Sequence, residues 1–179
     1  MADDGATVEI DSVTGSLIHY RAPFEILSEN TCKNITSEEA RQIAEEFISR
    51  HGSLQKLDFD GVKYNESLDG YYVSYVRYVA GYKSAEYARV TIGANGKVLS
   101  YLSNPHAFDG IDADKLTNDN EKLMRKINAA VEEQFSGDNY SIDNLRLIVV
   151  DGQLKMEYSV FVTDEVGAIG GYSFEISLD

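Results

Sequence analysis

The stretch YYVSYVRYVAGYKSAEYARVTIGANGKVLSY, residues 71–101, decides the fold because two turn signals divide it into strands. Tyrosine, valine and isoleucine, which favour β-structure, dominate the parts between the turns. The first turn lies at Ala80-Gly81, and the second lies at Asn95-Gly96, a dipeptide in which both residues tolerate positive φ. The stretch therefore predicts three successive antiparallel strands that end in a tight hairpin.

The last part of this stretch is repeated near the start of the chain. ATVEIDSVTGSLIHY, residues 6–20, resembles ARVTIGANGKVLSY, residues 88–101, and has one more residue in its turn. The matching apolar positions are Val8 with Val90 and Ile10 with Ile92. Because an isolated hairpin is only marginally stable, we expect residues 1–23 to dock on a neighbouring sheet edge. Two origins remain open: the hairpin closes a preceding unit, or it supplies strand pairing to a unit that follows it.

A helix is predicted before the strands. Thr36 supplies a capping hydroxyl, Glu38 and Glu39 place carboxylates in the first turn, and His51-Gly52 ends the helix. Its apolar stripe consists of Ala40, Ile43, Ala44, Phe47 and Ile48. Residues 31–103 therefore predict one α+β unit, in which a single helix packs on a curled antiparallel sheet.

The same order of elements begins again after a polar linker without periodicity at residues 104–119. A helical period covers residues 121–135, and strands are predicted at 145–150, 154–163 and 172–178. The closing turn and strand of the first unit have no counterpart there. Residues 120–179 therefore predict a second, divergent unit, and the chain is predicted to be a tandem repeat.

Composition and charge exclude several classes of protein. Thirty acidic residues against sixteen basic ones give a net charge of −14, so a phosphate backbone would repel most of the surface. The sequence contains no apolar run long enough to span a bilayer. The single cysteine, Cys32, excludes an internal disulfide. We therefore expect a soluble chain without a nucleic-acid partner.

The sequence also lacks the common motifs of zinc peptidases, serine hydrolases, phosphate-binding loops and dinucleotide-binding folds. The three histidines, His19, His51 and His106, fall in a predicted strand, at a helix end and in the linker. Such scattered positions do not form a catalytic or metal-ligating group. We therefore predict no catalytic residue, no metal site and no cofactor.

Twelve tyrosines and no tryptophan are an unusual aromatic composition, and seven of the tyrosines fall within residues 64–87. Alternation along the strand places Tyr71 and Tyr75 on one face and Tyr72 and Tyr78 on the other. Tyrosine suits contact surfaces, since its ring can be buried while its hydroxyl stays hydrated. Our hypothesis is that Tyr71, Tyr75 and Tyr78 bind a polypeptide from an exposed sheet face. The alternative is that these rings cover a neighbouring unit or sheet face.

Residues 35–48, ITSEEARQIAEEFI, together with residues 71–101, resemble the PepSY-like units of the YcdB/YcdC type. The resemblance implies a cystatin-like fold and a bacterial protein that is secreted or belongs to the cell envelope, provided that a signal precedes this segment. Related units occur in metallopeptidase propeptides, where they restrain the enzyme. The resemblance implies no catalytic residues.

These observations predict a non-enzymatic module that binds another polypeptide, such as a peptidase, in the envelope or outside the cell. Exposed sheet edges suit the addition of an extended peptide strand, and acidic faces favour basic partners. The alternative is a structural spacer or adhesion repeat within a larger surface protein. A further alternative is an enzyme whose site has no recognised motif.

Overall fold

The computed structural model describes residues 5–23, 34–112, 116, 119–136, 139–163, 167 and 169–178. Cys32 lies outside the described residues. The elements in chain order are β1 (Thr7–Ile10), β2 (Leu17–Arg21), α1 (Ser37–His51), β3 (Asp58–Asn65), β4 (Gly70–Val79), β5 (Tyr82–Gly93), β6 (Val98–Asn104), α2 (Asn120–Gln134), β7 (Asn139–Val150), β8 (Gln153–Thr163) and β9 (Ile169–Ser177). The predicted α+β class is confirmed, while the organisation into two repeats of one kind stays a prediction.

The chain forms two compact units. The first unit comprises Met1–Arg77 and Glu86–His106, and the second comprises Tyr78–Ala85 and Ala107–Asp179. The end of the β4–β5 hairpin therefore belongs to the second unit, and the rest of that hairpin belongs to the first.

The first unit is a sheet in the order β1-β2-β6-β5-β4-β3 with α1 packed on one face. Strand β2 pairs antiparallel with β6, so the repeated hairpin docks on a sheet edge as its sequence predicted. Helix α1 begins at a capping box, in which Thr36 and Glu39 bond to each other's backbone N–H groups. It ends at Gly52, where a Cβ atom would lie 2.6 Å from the hydroxyl of Tyr101. The helix is therefore placed by its own terminal signals and by the tyrosine beneath its last turn.

The core of the first unit lies between α1 and the sheet. Its buried residues are Ile35, Ala40, Ala44, Ile48, Val73, Tyr75, Ala88, Val90, Ile92 and Tyr101. Phe47 of α1 contacts Tyr20 of β2 and Tyr101 of β6, with ring centroids 5.9 and 5.6 Å away. The repeated hairpin is thus joined to the core by both strand pairing and ring contact.

The second unit packs α2 on the antiparallel strands β7, β8 and β9, and residues Lys83–Ser84 pair in parallel with β7. Its buried residues are Val79, Phe108, Leu123, Ile127, Val131, Leu147, Met156, Tyr158 and Val160. Strand β7 begins at Asn139, six residues before the predicted start at Leu145. The early part is polar and contains an irregularity between Asp143 and Arg146, yet its residues pair with the end of β8. Pairing with a partner strand overrides the weak local propensity there.

Candidate functional site

The tyrosines of β4 do not share one exposed face. Tyr75 is only 3% exposed and packs in the core with its hydroxyl 3.4 Å from Glu45 Oε1. Burial, with the nearby Glu45 carboxylate, raises the pKa of Tyr75 to about 12. Tyr71 packs against the same core, and its hydroxyl donates to the carbonyl oxygen of Ile35 at 2.8 Å. The predicted exposure is wrong for these two residues, because the face that carries them lies under α1.

Tyr78 lies near the end of β4 and is 41% exposed, in agreement with the prediction for this residue. Neighbouring strand residues alternate between faces, so Tyr78 and Tyr75 point to opposite sides of the strand. A binding role for Tyr78 stays a prediction.

The histidines lie apart and have separate partners. His51 contacts Phe47 with ring centroids 4.9 Å apart, and His19 Nδ1 lies 3.5 Å from Glu9 Oε1. His106 pairs with the carboxylate of Asp11. Within the described ranges, no group of three or more histidine, cysteine, aspartate or glutamate side chains could hold a metal ion.

A small pocket of about 150 Å³ lies in the second unit at the start of α2. It is lined by Tyr82, Leu116, Asp119, Lys122, Leu123, Lys126, Ser177 and Leu178. Asp119 caps the helix by accepting from the backbone N–H of Lys122 at 2.9 Å, and the Tyr82 hydroxyl donates to Asn120 Oδ1 at 3.1 Å. These bonds stabilise the start of α2.

The β1–β2 hairpin has a well-defined turn. Asp11 Oδ1 accepts hydrogen bonds from the backbone N–H groups of Val13 and Thr14, at 2.7 and 2.9 Å. Gly15 follows with φ +72, a conformation that suits glycine. The backbone N–H of Asp11 donates to the carbonyl of Ser16 at 2.9 Å and closes the turn. The turn holds β1 in register with β2, although nothing in the turn covers β1.

Strand β1 leaves one edge of the first unit open, because its only pairing within the described ranges is with β2. The backbone direction at this edge follows from one hydrogen bond: the N–H of Ala22 donates to the carbonyl of Leu99 on β6 at 2.8 Å. Bonding direction alternates along a strand, so Arg21 and His19 of β2 bond towards β1. Their partners on β1, Thr7 and Glu9, direct their backbone N–H and C=O groups towards β2. Val8 lies between them and directs its N–H and C=O towards the open edge.

The apolar side chains of β1 are exposed to solvent, as is its unpaired backbone edge. Val8 lies opposite Tyr20, which lies opposite Tyr101, so its side chain is on the face where α1 packs. Val8 is nevertheless 46% exposed and Ile10 is 59% exposed. Their counterparts in the sequence repeat, Val90 and Ile92, are both 0% exposed. Identical residues in equivalent hairpins are thus covered in one copy and uncovered in the other.

The opposite edge of the same unit is protected against further pairing. Strand β3 has a register shift between Phe59 and Gly61, and it exposes Asp58, Asp60 and Lys63. Bulges and charges are devices by which sheet edges avoid unwanted partners. Strand β1 is short and has its own register shift, yet Glu9 is its only charged residue and its apolar side chains are exposed. We call Val8, Ile10 and the open edge of β1 the β1 site.

The family of this chain follows from a sequence profile described as the YcdB, YcdC repeated domain, which matches residues 2–104. The chain belongs to this family. The YcdB, YcdC repeated domain here includes the repeated hairpin, α1 and strands β3–β6, so the β1 site lies inside the family's own segment.

A solved structure confirms the PepSY-like fold that the sequence resemblance implied. The Bacillus megaterium YpeB C-terminal domain is similar over 97% of this chain and 72% of that one, with a TM-score of 0.50 and 14% identity. No curated protein matches this chain. In the part of the chain that the structure describes, neither helix is long and apolar enough to cross a membrane.

Sequence reasoning missed the β1 site, although it identified the repeat that contains it. The signal was the match of Val8 and Ile10 to Val90 and Ile92. The amino-acid sequence does not show which of the two hairpins a helix covers.

We expect the turn that supports the β1 site to depend on pH, because it is held by a carboxylate. The backbone N–H groups of Thr14 and Val13, with His106, hold the pKa of the Asp11 carboxyl below its usual value. The stabilising contribution of the ionised Asp11 carboxylate to the hairpin is complete above the usual carboxyl pKa. It is lost as the pH falls through the lowered pKa of Asp11. We expect the amide NMR signals of Val13 and Thr14 to titrate below pH 3.8. Titration at or above that value would contradict the turn geometry, and Asp11→Ala should abolish the transition.

Proposed function

We propose that this chain is a non-catalytic module that binds another polypeptide along β1. The observation that carries the proposal is the contrast between Val8 and Ile10, which are largely exposed, and Val90 and Ile92, which are fully buried. Apolar side chains on the core-facing side of a sheet are normally covered, and an exposed apolar patch commonly marks an interaction site. The β1 site is therefore a candidate interaction surface.

An extended peptide would complete this site by strand addition. Its backbone would pair with the outward N–H and C=O of Val8, and its alternate side chains would lie beside Val8 and Ile10 on the face of α1. Main-chain bonds would provide affinity, while the two apolar positions would favour a peptide with small or branched apolar residues at alternate positions. The net charge of −14 favours a partner with basic residues on the other face.

The partner in this proposal is a peptidase or peptidase domain, and the setting is the cell envelope or the exterior of the cell. Support for this finer assignment comes from the PepSY-like resemblance, since related units restrain metallopeptidases as propeptides. A shared fold is weak support for a shared function, so the binding test below uses the edge itself and no enzyme.

The probe is a fluorescein-labelled ten-residue peptide in which valine alternates with lysine. We expect fluorescence anisotropy to show binding to the wild-type chain, and we expect Val8→Pro to weaken it about tenfold or more. Proline removes the outward N–H but is tolerated on an edge strand where that N–H faces solvent. Ile10→Ser should also weaken binding, because it removes an apolar contact.

Two controls separate strand addition from attraction between opposite charges. A peptide in which serine replaces valine keeps the charge and should bind more weakly. Leu102→Ser removes a different exposed apolar side chain. Leu102 lies opposite His19, and hence on the other face of the sheet from Tyr20, so this change should leave affinity unchanged. Equal affinity of Val8→Pro, Ile10→Ser and the wild type would overturn the proposal.

A further inference from the structure

The two copies of the repeated hairpin are related by a local two-fold axis. Tyr20 on β2 lies directly opposite Tyr101 on β6, and these residues end the two matching stretches of sequence. The flanking pairs are His19 with Leu102 and Arg21 with Ser100. When the two stretches are aligned at Tyr20 and Tyr101, His19 corresponds to Ser100 and Arg21 corresponds to Leu102. His19 therefore pairs with the counterpart of Arg21, and Arg21 pairs with the counterpart of His19. A strand that pairs with its own counterpart in this way has an isologous interface.

This symmetry assigns a counterpart to every neighbour of the second hairpin. Strand β5 lies between β6 and β4, and the face that carries Val90 and Ile92 is buried under α1. Strand β1 is the counterpart of β5, and it has β2 in the place of β6. On its other side, the positions that correspond to β4 and α1 are the open edge and the exposed face of the β1 site.

We infer that the β1 site is the docking surface for a second helix-and-strand unit of the same family, supplied by a preceding repeat of the same polypeptide. This inference concerns the same edge as the proposed function, but it stands on the symmetry of the two hairpins and names a different occupant of that edge. The docked strand corresponds to β4 and places apolar residues, as Val73 and Tyr75 are placed, on the helix side. The docked helix corresponds to α1 and covers Val8 and Ile10.

Chain connection favours a preceding repeat over a separate molecule. Strand β4 reaches β5 through the two residues Ala80 and Gly81, both with positive φ. The segment that pairs with β5 is therefore the segment directly before it in the chain. By the same connection, a strand on the edge of β1 comes from just upstream of the first hairpin.

Phe47 limits where the docked helix can lie. Its ring is almost equally far from Tyr20 and Tyr101, at 5.9 and 5.6 Å, so α1 already covers the seam between the two hairpins. The docked helix must occupy the part of the face beyond that seam, which is where Val8 and Ile10 are exposed.

A tandem fusion tests the inference with the rest of the chain intact. Residues 34–87 are joined directly to Ala6 in place of residues 1–5. Ala6 is the counterpart of Ala88, so residue 87 of the added copy is followed by an equivalent of its normal successor. We expect amide hydrogen exchange at Val8 to slow about tenfold or more, because its outward N–H gains a partner. The fusion should remain a monomer in sedimentation experiments.

A matched control replaces Ala44 by aspartate in the added copy only. Ala44 is fully buried in α1, so a carboxylate there prevents the added helix from packing. Protection of Val8 in the fusion and its loss in this control would support the inference. Exchange at Val8 that is the same in both fusions and in the unfused chain would overturn it.

The fusion and the peptide experiment separate the two claims. If the valine–lysine peptide binds at β1 but the fusion leaves Val8 unprotected, the inference is wrong and the proposed function stands. If the fusion protects Val8 but the peptide fails to bind, the edge serves only docking within one polypeptide. That result would overturn the proposed function and support the inference.

Discussion

Replacing Ile92 by alanine should lower the free energy of unfolding by about 2–5 kcal/mol, whereas replacing Ile10 by alanine should change it by less than about 0.5 kcal/mol. The two residues are counterparts in the repeated hairpins, and they are 0% and 59% exposed. Truncation of Ile92 leaves a cavity beneath α1 in the first unit. Truncation of Ile10 removes side-chain atoms that already contact water.

Urea denaturation followed by circular dichroism measures both differences. Val90→Ala and Val8→Ala form a second matched pair with the same expected asymmetry and smaller values. Similar losses for Ile92→Ala and Ile10→Ala would show that Ile10 is covered in solution, and the β1 site would then not exist. In the tandem fusion, by contrast, Ile10→Ala should become destabilising, because the added helix covers that position.

Glu86→Ala should destabilise the first unit by about 3–5 kcal/mol, because it removes a carboxylate from a buried ion pair. Arg77 Nη1 lies 2.9 Å from Glu86 Oε2, and the two side chains are only 11% and 9% exposed. A guanidinium that stays buried without this carboxylate loses a charge-assisted hydrogen bond while it remains removed from water. The loss should therefore exceed that of any exposed ion pair in the protein.

The matched control is Glu46→Ala, which breaks the exposed pair of Arg50 and Glu46 on α1. That change should cost less than about 1 kcal/mol, since solvent screens both charges. The double replacement Arg77→Met with Glu86→Leu should recover most of the stability lost in Glu86→Ala, because apolar side chains of similar size need no partner. Equal losses for Glu86→Ala and Glu46→Ala would show that water reaches the Arg77 pair.

Local signals predicted the helix and the hairpins of the first unit. The hydroxyl and carboxylates around Thr36 form the capping box that the sequence indicated, and Asn95-Gly96 lies in the turn between β5 and β6. Such signals act over three or four residues, so they survive in any tertiary context that permits the element. The α+β class followed from them.

Sequence reasoning predicted less well which face of a strand is buried and where a strand begins. Alternation along β4 separates Tyr75 from Tyr78, but it does not say which side the helix covers, and the assignment of Tyr75 to an exposed face was wrong. The polar start of β7 was missed for a related reason, since its pairing partner on β8 lies far along the chain. The buried face of β4 and the start of β7 both depend on contacts between residues that are distant in the sequence.

By itself, the sequence determined that two similar hairpins exist and that Val8 and Ile10 correspond to Val90 and Ile92. Only the tertiary structure decided that one hairpin lies under a helix and that the other pairs with it across a local two-fold axis and leaves β1 open. The physical reason is that hydrogen bonding and periodicity are local, while burial depends on which element packs above a face. Identical residues therefore form a core in one copy and a candidate docking surface in the other.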